Sequence, residues 1–338
     1  MGIHRQPALQ TGLAAGSLRT FVQTSDNIPA PIPDKEDNAA DYGKGTPFAT
    51  KTFKRSIRSE FDWSGRLTSE TAAWLGAFAI NIPTKASAGT GFKYTSVVGS
   101  DFTDFDNDRP VTTFASAMRQ GASSVFDFAL IGCACEEMTL SLKEGLGRDT
   151  ATISSHWIGC GKYSDPSGLT LPAPYDDHGL NFAGATALSI ISEDYVTSGR
   201  LLSADLNYKN NIPIDRNYRG GGGLINGFPM MARMRSGIPS VTFRAKVELE
   251  HGSGEWGKFL ADTEGTIVLT LKGDVISGTD YHQLAITLHK AQIKSYSYVN
   301  DGGYPAADIE ASVQLHSSNG VLTWETKTGL DEIGALAA

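Results

Sequence analysis

Residues 123–162 read SSVFDFALIGCACEEMTLSLKEGLGRDTATISSHWIGCGK, and this stretch decides the fold. Its first part alternates between apolar and polar side chains, which predicts a long β-strand with one buried and one solvated face. The apolar positions of one parity are Phe126, Phe128, Leu130, Ala134, Met138, Leu140 and Leu142. Gly132 and Glu136 interrupt the alternation, so we expect a bend or a bulge there.

A turn and a second strand follow directly. Residues 143–148 contain two glycines, which suit the positive φ angles of a tight turn. After the turn, Ala151, Ile153, Ser155 and Trp157 alternate with polar neighbours that include His156. The whole stretch therefore predicts an extended β-hairpin.

The composition favours a mainly β-protein with many turns. The chain has 338 residues, of which 40% are hydrophobic and 20% charged, as is usual for a folded globular protein. Thirty-seven glycines and few long helical patterns favour strands and turns. The net charge of −8 argues against a clamp that holds nucleic acid through a basic surface. We find no signal-peptide pattern and no apolar run of membrane-spanning length, so we expect no membrane anchor.

The chain divides by pattern into five parts. We expect an extended N-terminal arm, a first β unit, a Pro/Gly-rich connector, a second β unit and a C-terminal tail, at residues 1–46, 47–163, 164–190, 191–330 and 331–338. Each unit has strands around one short helix. The helix of the first unit is predicted at residues 68–79, with an apolar stripe of Trp74, Ala77 and Phe78. The second unit repeats the stripe as Trp256, Phe259 and Leu260.

This repeated order of elements predicts a duplicated unit. A local match between residues 151–156, ATISSH, and residues 311–316, ASVQLH, points the same way and would make His156 and His316 equivalent. The second unit also carries a long loop at residues 209–239 with Met230, Met231 and Met234. These methionines either form an adaptable contact surface or fold back into the core.

No pattern in the chain predicts an enzyme, a cofactor or a metal. The acidic loop of Asp104, Asp106 and Asp108 lacks the glycine and the glutamate that a calcium-binding EF-hand loop requires. The run Asp176, Asp177 and His178 lies in the connector without a second ligand cluster nearby, and is typical of a turn. Gly220–Gly223 lacks the Lys-Ser/Thr of a P-loop and predicts a hinge. We therefore expect no catalytic, cofactor-binding or metal-binding residues.

The three cysteines also carry no recognisable chemistry. A zinc site requires four ligands and a disulfide framework requires an even number of cysteines. Neither fits the three cysteines of this chain, Cys133, Cys135 and Cys160. We expect buried thiols in a reducing compartment.

Several of these motifs together resemble the tail tube proteins of long-tailed bacteriophages. The resemblance rests on Gly132-Cys133, the alternating residues 138–142, Lys143-Glu-Gly145, and an arm that ends in Gly159-Cys-Gly-Lys162. The upstream helix from Gly65 to Phe78 also looks like the helix of that family. The similarity covers about residues 48–328, but not the arm or the connector.

The resemblance implies tandem β-sandwich or half-barrel units, each flanked by a short helix. It implies a structural protein whose chains form stacked rings around exiting DNA, in a virion tail assembled in the bacterial host cytoplasm. A duplicated chain implies a trimeric ring of pseudo-sixfold symmetry, with a hexamer as the alternative. Tape measure, tail terminator and baseplate proteins are the implied partners. We expect the lumen to be acidic or neutral, and the arm and the loop 209–239 to make ring-to-ring contacts.

A second class of function stays open, namely a carbohydrate- or receptor-binding β-sandwich of a phage baseplate or fibre. Such a module displays exposed aromatic side chains with Asn or Asp in nearby loops. The sequence offers Tyr163, Tyr175 and Tyr195 as candidates.

Overall fold

The computed structural model describes most of both β units and short parts of the arm. The described residues are 2–5, 19–20, 30–37, 51–99, 112–120, 123–143, 151–164, 178–188, 201–218, 222–234, 237–249, 254–331 and 333. They form a mainly β, antiparallel structure, which confirms the predicted fold class. The acidic loop at 104–108, Asp176, Asp177, Tyr175 and Tyr195 lie outside the described residues.

Eighteen strands are present in these ranges. The first nine are β1 (Gly2–Arg5), β2 (Arg19–Thr20), β3 (Pro31–Asp37), β4 (Thr52–Arg66), β5 (Thr84–Ala88), β6 (Gly91–Val98), β7 (Thr112–Gln120), β8 (Ser123–Lys143) and β9 (Ala151–Ser164). The others are β10 (Asn181–Leu188), β11 (Leu201–Lys209), β12 (Leu224–Ile225), β13 (Phe228–Pro229), β14 (Ser240–Glu248), β15 (Glu264–Ser277), β16 (Asp280–Asp301), β17 (Tyr304–Val313) and β18 (Leu322–Thr328).

Helices are few and short. They are α1 (Ser69–Leu75), which continues into a π-helical segment (Gly76–Ile80), then α2 (Ile214–Asn217) and α3 (Glu255–Leu260). Across the described ranges, no helix combines the length and the apolar character that a membrane crossing requires.

The predicted hairpin is present as β8 and β9. The two strands pair from Ala129 with Ser164 to Leu142 with Ala151. The register shifts once around Gly132 and once around Glu136, the two positions where the alternation breaks. Gly132 has a φ of 69°, which a residue with a side chain rarely adopts. The sequence pattern thus predicted both the hairpin and its two irregularities.

Two groups of six strands have the same order of neighbours. In the first, the order is β3, β4, β9, β8, β7, β1; in the second, it is β11, β14, β17, β16, β15, β10. In each group a long strand (β8 or β16) forms hairpins with the strands before and after it. The prediction of a duplicated unit now rests on this order as well as on the sequence.

The local match that suggested equivalent histidines was wrong. Ala151 is the first residue of β9, beside the turn of its hairpin, whereas Ala311 lies near the end of β17, opposite Ile293. His156 is within β9, but His316 follows β17 and pairs with Gly320 in an isolated bridge. The prediction of a duplicated unit is therefore supported by the order of the strands and not by this residue match.

The two groups of strands share one sheet and one hydrophobic core. β11 of the second group pairs with β8, and β6, which follows α1, pairs with β18. A single core cluster includes Phe61 and Trp74 from one unit and Phe243 and Trp324 from the other. The described parts of the arm join the same sheet, since β1 pairs with β7 and β3 with β4.

Helix α1 is enclosed on every side by this core. Thr68 caps its N-terminus in a reciprocal capping box with Thr71, so the chain enters the helix with its first backbone donors satisfied. All residues from 69 to 80 are buried, so the predicted single apolar stripe understates the contact. Trp324 of β18 donates to the carbonyl of Ala72 at 2.9 Å and packs against Gly76.

Candidate assembly surface and a buried histidine–glutamate cluster

The contact between the two units is a strand seam in which β11 pairs with residues 137–143 of β8. Its buried face is apolar on both strands, and each apolar side chain lies opposite another. The cross-strand pairs on this face are Leu142 with Ala204, Leu140 with Leu206, and Met138 with Tyr208. Such pairs are the elements that stabilise a sheet and fix its register.

Polar side chains reinforce the other face of the seam. Asn207 donates to Thr139 at 2.9 Å and also to Glu137, whose second carboxylate oxygen lies 3.0 Å from Lys209 Nζ. Burial by itself acts to raise the pKa of Glu137, but the hydrogen bonds from Asn207 and Lys209 outweigh it and leave that pKa below its usual range. Glu137 is therefore ionised and paired at neutral pH.

One fully buried amide closes the end of the seam. Asn210 Nδ2 donates to the carbonyls of Ala79 at 2.7 Å and Cys135 at 2.8 Å. Its Oδ1 accepts from the hydroxyl of Tyr208 at 3.1 Å. Asn210 thus joins the second unit both to the end of the π-helical segment and to the bulged part of β8.

The second unit contains a counterpart of this part of β8. In β8 the bulge next to β9 falls at Glu136, and in β16 the bulge next to β17 falls at Lys294. Counting onward from the bulges, Met138 corresponds to Tyr296 and Leu140 to Tyr298. The part of β8 that β11 covers therefore corresponds to residues 295–301 of β16.

This counterpart lies at the surface. β15 and β17 both pair with Ala291 and Gln292 of β16, so the two strands lie on opposite edges of β16. Pairing with β15 ends at Gln292, and among the described strands none continues along that edge. Whereas Leu140 is 1% exposed, Tyr298 is 62% exposed.

Helix α3 extends the exposed surface. Trp256 is 41% and Leu260 64% exposed, so two of the three residues of the predicted Trp-led stripe stay at the surface, whereas Phe259 packs against the core. The Trp256 ring instead packs against Tyr296 at 5.4 Å and Tyr298 at 6.0 Å between centroids. We call Trp256, Phe259, Tyr296 and Tyr298 the aromatic patch.

The methionines of the long loop are buried, which decides between the two alternatives. Met231 and Met234 pack with Ala134, Ile158 and Cys160 on the second side of the hairpin. The loop backbone is fixed as well, since Met231 N donates to the carbonyl of Cys160 at 3.0 Å. These side chains cover the hairpin and do not form an adaptable surface.

The described half of the predicted glycine hinge is a packed turn. A Cβ on Gly222 would lie 2.1 Å from the carbonyl oxygen of Met230, and Gly223 has a φ of 72°. Gly223 also accepts a hydrogen bond from Met230 N. These glycines are needed for close approach of two backbones.

The cysteines and His156 occupy structural positions. Cys133, Cys135 and Cys160 are buried and free of disulfides, as expected. Burial raises the pKa of the Cys160 thiol to about 11, so the thiol stays protonated and is a poor nucleophile. His156 lies between two carboxylates, with Nδ1 2.8 Å from Asp62 and Nε2 3.5 Å from Glu136.

The structure brings together one titratable cluster that sequence patterns did not reveal. Glu70 of α1, His178 of the connector and His282 of β16 place their ligand atoms within 4.8 Å of one another. Glu70 and His282 are buried, and His178 is about one-third exposed. More than one hundred residues separate each of the three from the next, which is why local spacing gave no signal.

Hydrogen bonds and burial define the state of this cluster. Ser69 Oγ lies 2.8 Å from Glu70 Oε1, to which it donates, and 2.7 Å from His282 Nδ1. Burial raises the pKa of Glu70, while burial and the neighbouring His178 lower the pKa of His282 to about 4. His282 is thus a neutral imidazole at physiological pH, and its ring stacks on His178 at 4.1 Å.

Comparisons with known proteins do not assign the chain. No protein-family model matches it. No curated protein matches it either.

Proposed function

We propose that this protein is a structural subunit that assembles with copies of itself into rings, and that the rings stack into the tail tube of a long-tailed bacteriophage. One observation carries the proposal. The chain contains a seam between its two units, and the counterpart of that seam in the second unit ends at an exposed strand edge beside the aromatic patch.

A second copy of the chain is the partner that fits this surface. Within one chain, β11 pairs with the part of β8 that contains Met138 and Leu140, and both side chains are buried. β11 in turn pairs with β14. In the first unit β4 occupies the position of β14. β3 pairs with β4 and so occupies the position of β11. The β3 edge of a second copy would therefore cover Tyr298 and Trp256, as β11 covers β8 within one chain. Repetition of one head-to-tail contact generates a closed ring when the rotation closes.

Three chains with two units each give the ring of pseudo-sixfold symmetry that the resemblance implies, and a hexamer is the alternative. In the assembled tail the neighbours are tape measure, tail terminator and baseplate proteins. Assembly takes place in the bacterial host cytoplasm, and no membrane anchor is required. The described strand edges and the aromatic patch, which are aggregation hazards for a monomer, become joints between subunits.

Charge on the polar face of the sheet agrees with a conduit for DNA. A groove of about 360 Å³ crosses β11, β14, β17 and β16, and its ionisable lining consists of Asp205, Arg244, Lys246, Asp308 and Glu310. Arg244 pairs with Glu310 at 2.9 Å, and Lys246 lies 3.6 Å from Asp301. Because acidic groups outnumber and neutralise the basic ones, this face would not retain phosphate.

The test is a charge placed in the aromatic patch. Tyr298→Arg introduces a cation where we expect a buried contact, while Tyr281→Arg, at the other end of the same strand and 41% exposed, is the matched control. Loss of a central aromatic contact costs about 2 kcal/mol or more, which weakens assembly by roughly 30-fold or more.

Light scattering after gel filtration and negative-stain microscopy give the readout. We expect rings or tubes from the parent protein and from Tyr281→Arg, and monomers from Tyr298→Arg at the same concentration. A parent protein that stays monomeric at high concentration, or a Tyr298→Arg variant that forms normal tubes, contradicts the proposal.

The aromatic patch also favours the second candidate, a carbohydrate-binding module. Exposed Trp256 and Tyr298 stand near Asn300 and Asp301, the combination of ring faces and polar groups that binds sugars. Of the tyrosines suggested by sequence, Tyr163 is packed against the core and accepts from Asn226. Glycan-array binding by the monomer that is lost in Trp256→Ala would support this candidate over self-assembly.

A further inference from the structure

We propose that Glu70, His178 and His282 form a binding site for a divalent transition-metal ion, with Zn²⁺ as the best fit. The expectation from sequence was that no residue of this chain binds a metal. The tertiary structure alters it, because it places two imidazoles and a carboxylate within 4.8 Å of one another. Two histidines with one glutamate are a ligand set used by zinc sites that keep a position open for water.

The backbone holds the three ligands from independent elements. Ser69 N donates to the carbonyl of His178 at 3.0 Å, and Leu180 N donates to the carbonyl of Leu67 at 2.9 Å. These bonds fasten the connector to the start of α1. β15 closes the other side, where a Cβ on Gly273 would lie 2.8 Å from the carbonyl of Gly179 and 3.3 Å from His282 Cβ.

Ser69 fixes the tautomer of His282. The single hydroxyl hydrogen of Ser69 goes to Glu70, so Ser69 Oγ accepts from the Nδ1–H of His282. The proton on Nδ1 leaves the lone pair on Nε2. An outer hydrogen bond of this kind is the usual way in which a metal-binding histidine is oriented.

Glu70 supplies a second observation that points to a cation. Its side chain is 2% exposed, and its Oε2 has no hydrogen-bond partner among the described residues. A buried polar atom without a partner destabilises the fold by about 1–3 kcal/mol, and more when it is charged. The other oxygen of this carboxylate, Oε1, lies 4.0 Å from His178 Nε2, so the carboxylate borders the cluster, and a metal ion bound by it would remove that cost.

His178 has to move for the ion to bind. Its ring is stacked on His282 with 12° between planes, whereas two ligands of one ion direct their in-plane lone pairs at a common point. Because His178 is about one-third exposed, rotation of its side chain can open the stack from the solvent side. Asp274 of β15 also acts on His282 and adds negative charge near the ion.

Zinc titration of the full-length, tag-free protein tests the site. The protein is stripped with a chelator, its fold is checked by circular dichroism, and Zn²⁺ is added in competition with a fluorescent chelator. Cobalt absorption reports the geometry of the site. We expect one saturable site per chain and a rise in the thermal midpoint on adding Zn²⁺.

Three variants make the test specific. His178→Ala and Glu70→Gln should weaken Zn²⁺ binding by about 100-fold or more, since loss of an outer partner alone costs about 10- to 100-fold. His156→Ala is the control, because His156 also lies between carboxylates but outside the cluster. If Glu70→Gln does not fold, His178→Ala on the exposed side still decides. Absence of saturable binding, or binding unchanged in His178→Ala, overturns the proposal.

Discussion

Asn210 gives the sharpest test of how the two units are joined. The residue is fully buried and makes three side-chain hydrogen bonds, to the carbonyls of Ala79 and Cys135 and to the hydroxyl of Tyr208. Replacement by alanine removes all three. These groups lie immediately beside the pairing of β11 with β8.

The expected loss of stability follows from those contacts. A buried hydrogen bond contributes about 1 kcal/mol net, so three contribute about 3 kcal/mol. In Asn210→Ala the two carbonyls and the hydroxyl also stay buried without their partner. We therefore expect this variant to lose about 3 to 4 kcal/mol of unfolding free energy. Tyr208→Phe removes only one of the bonds and should cost about 1 kcal/mol.

Urea unfolding, followed by tryptophan fluorescence and by circular dichroism, measures the loss of unfolding free energy in Asn210→Ala and in Tyr208→Phe. Because the units share one core, we expect the two probes to give a single coincident transition in the parent protein. Asn319→Ala, at an exposed site, is the control and should change stability by less than about 0.5 kcal/mol. A loss below about 1 kcal/mol for Asn210→Ala would refute this account of the seam.

Three further predictions concern backbone conformation and pH. Gly161→Ala should destabilise the fold by more than about 2 kcal/mol, because φ is 94° and the new Cβ would lie 2.2 Å from the Ile57 carbonyl. Gly257→Ala, in α3 with open space around it, should stabilise it by up to about 1 kcal/mol in the same urea assay. Burial and His316 lower the pKa of His289, so the unfolded chain binds a proton that the folded one rejects. Stability should therefore fall as pH drops below about 6.5, and His289→Gln should flatten that dependence; an unchanged slope would contradict it.

Much of the first unit was predictable because its patterns are local. The alternation in residues 123–162 gave the hairpin, and the breaks at Gly132 and Glu136 gave the bulges. Helix α1 was predicted from its capping residues. Its burial on all sides was not, because Trp324, which packs on it, lies far along the chain.

Other predictions failed or stayed open because they depend on what covers a surface. The stripe of α3 has the same spacing as that of α1, yet Trp256 is exposed and Trp74 is not. Periodicity shows which side of a helix is apolar, but not whether this chain supplies the partner. The sequence likewise did not show whether the methionines of the long loop are exposed or buried. The structure shows that Met231 and Met234 are buried against Cys160.

The sequence by itself determined the mainly β class and the long hairpin, because alternation and turn chemistry act between near neighbours. It also predicted a repetition of units, which stays a prediction. Tertiary structure decided how the units join, and which edge remains exposed. It also decided that Glu70, His178 and His282 meet, since strand pairing brings together residues that no spacing in the sequence relates. The seam at β8 and its exposed counterpart at Tyr298 are products of that pairing.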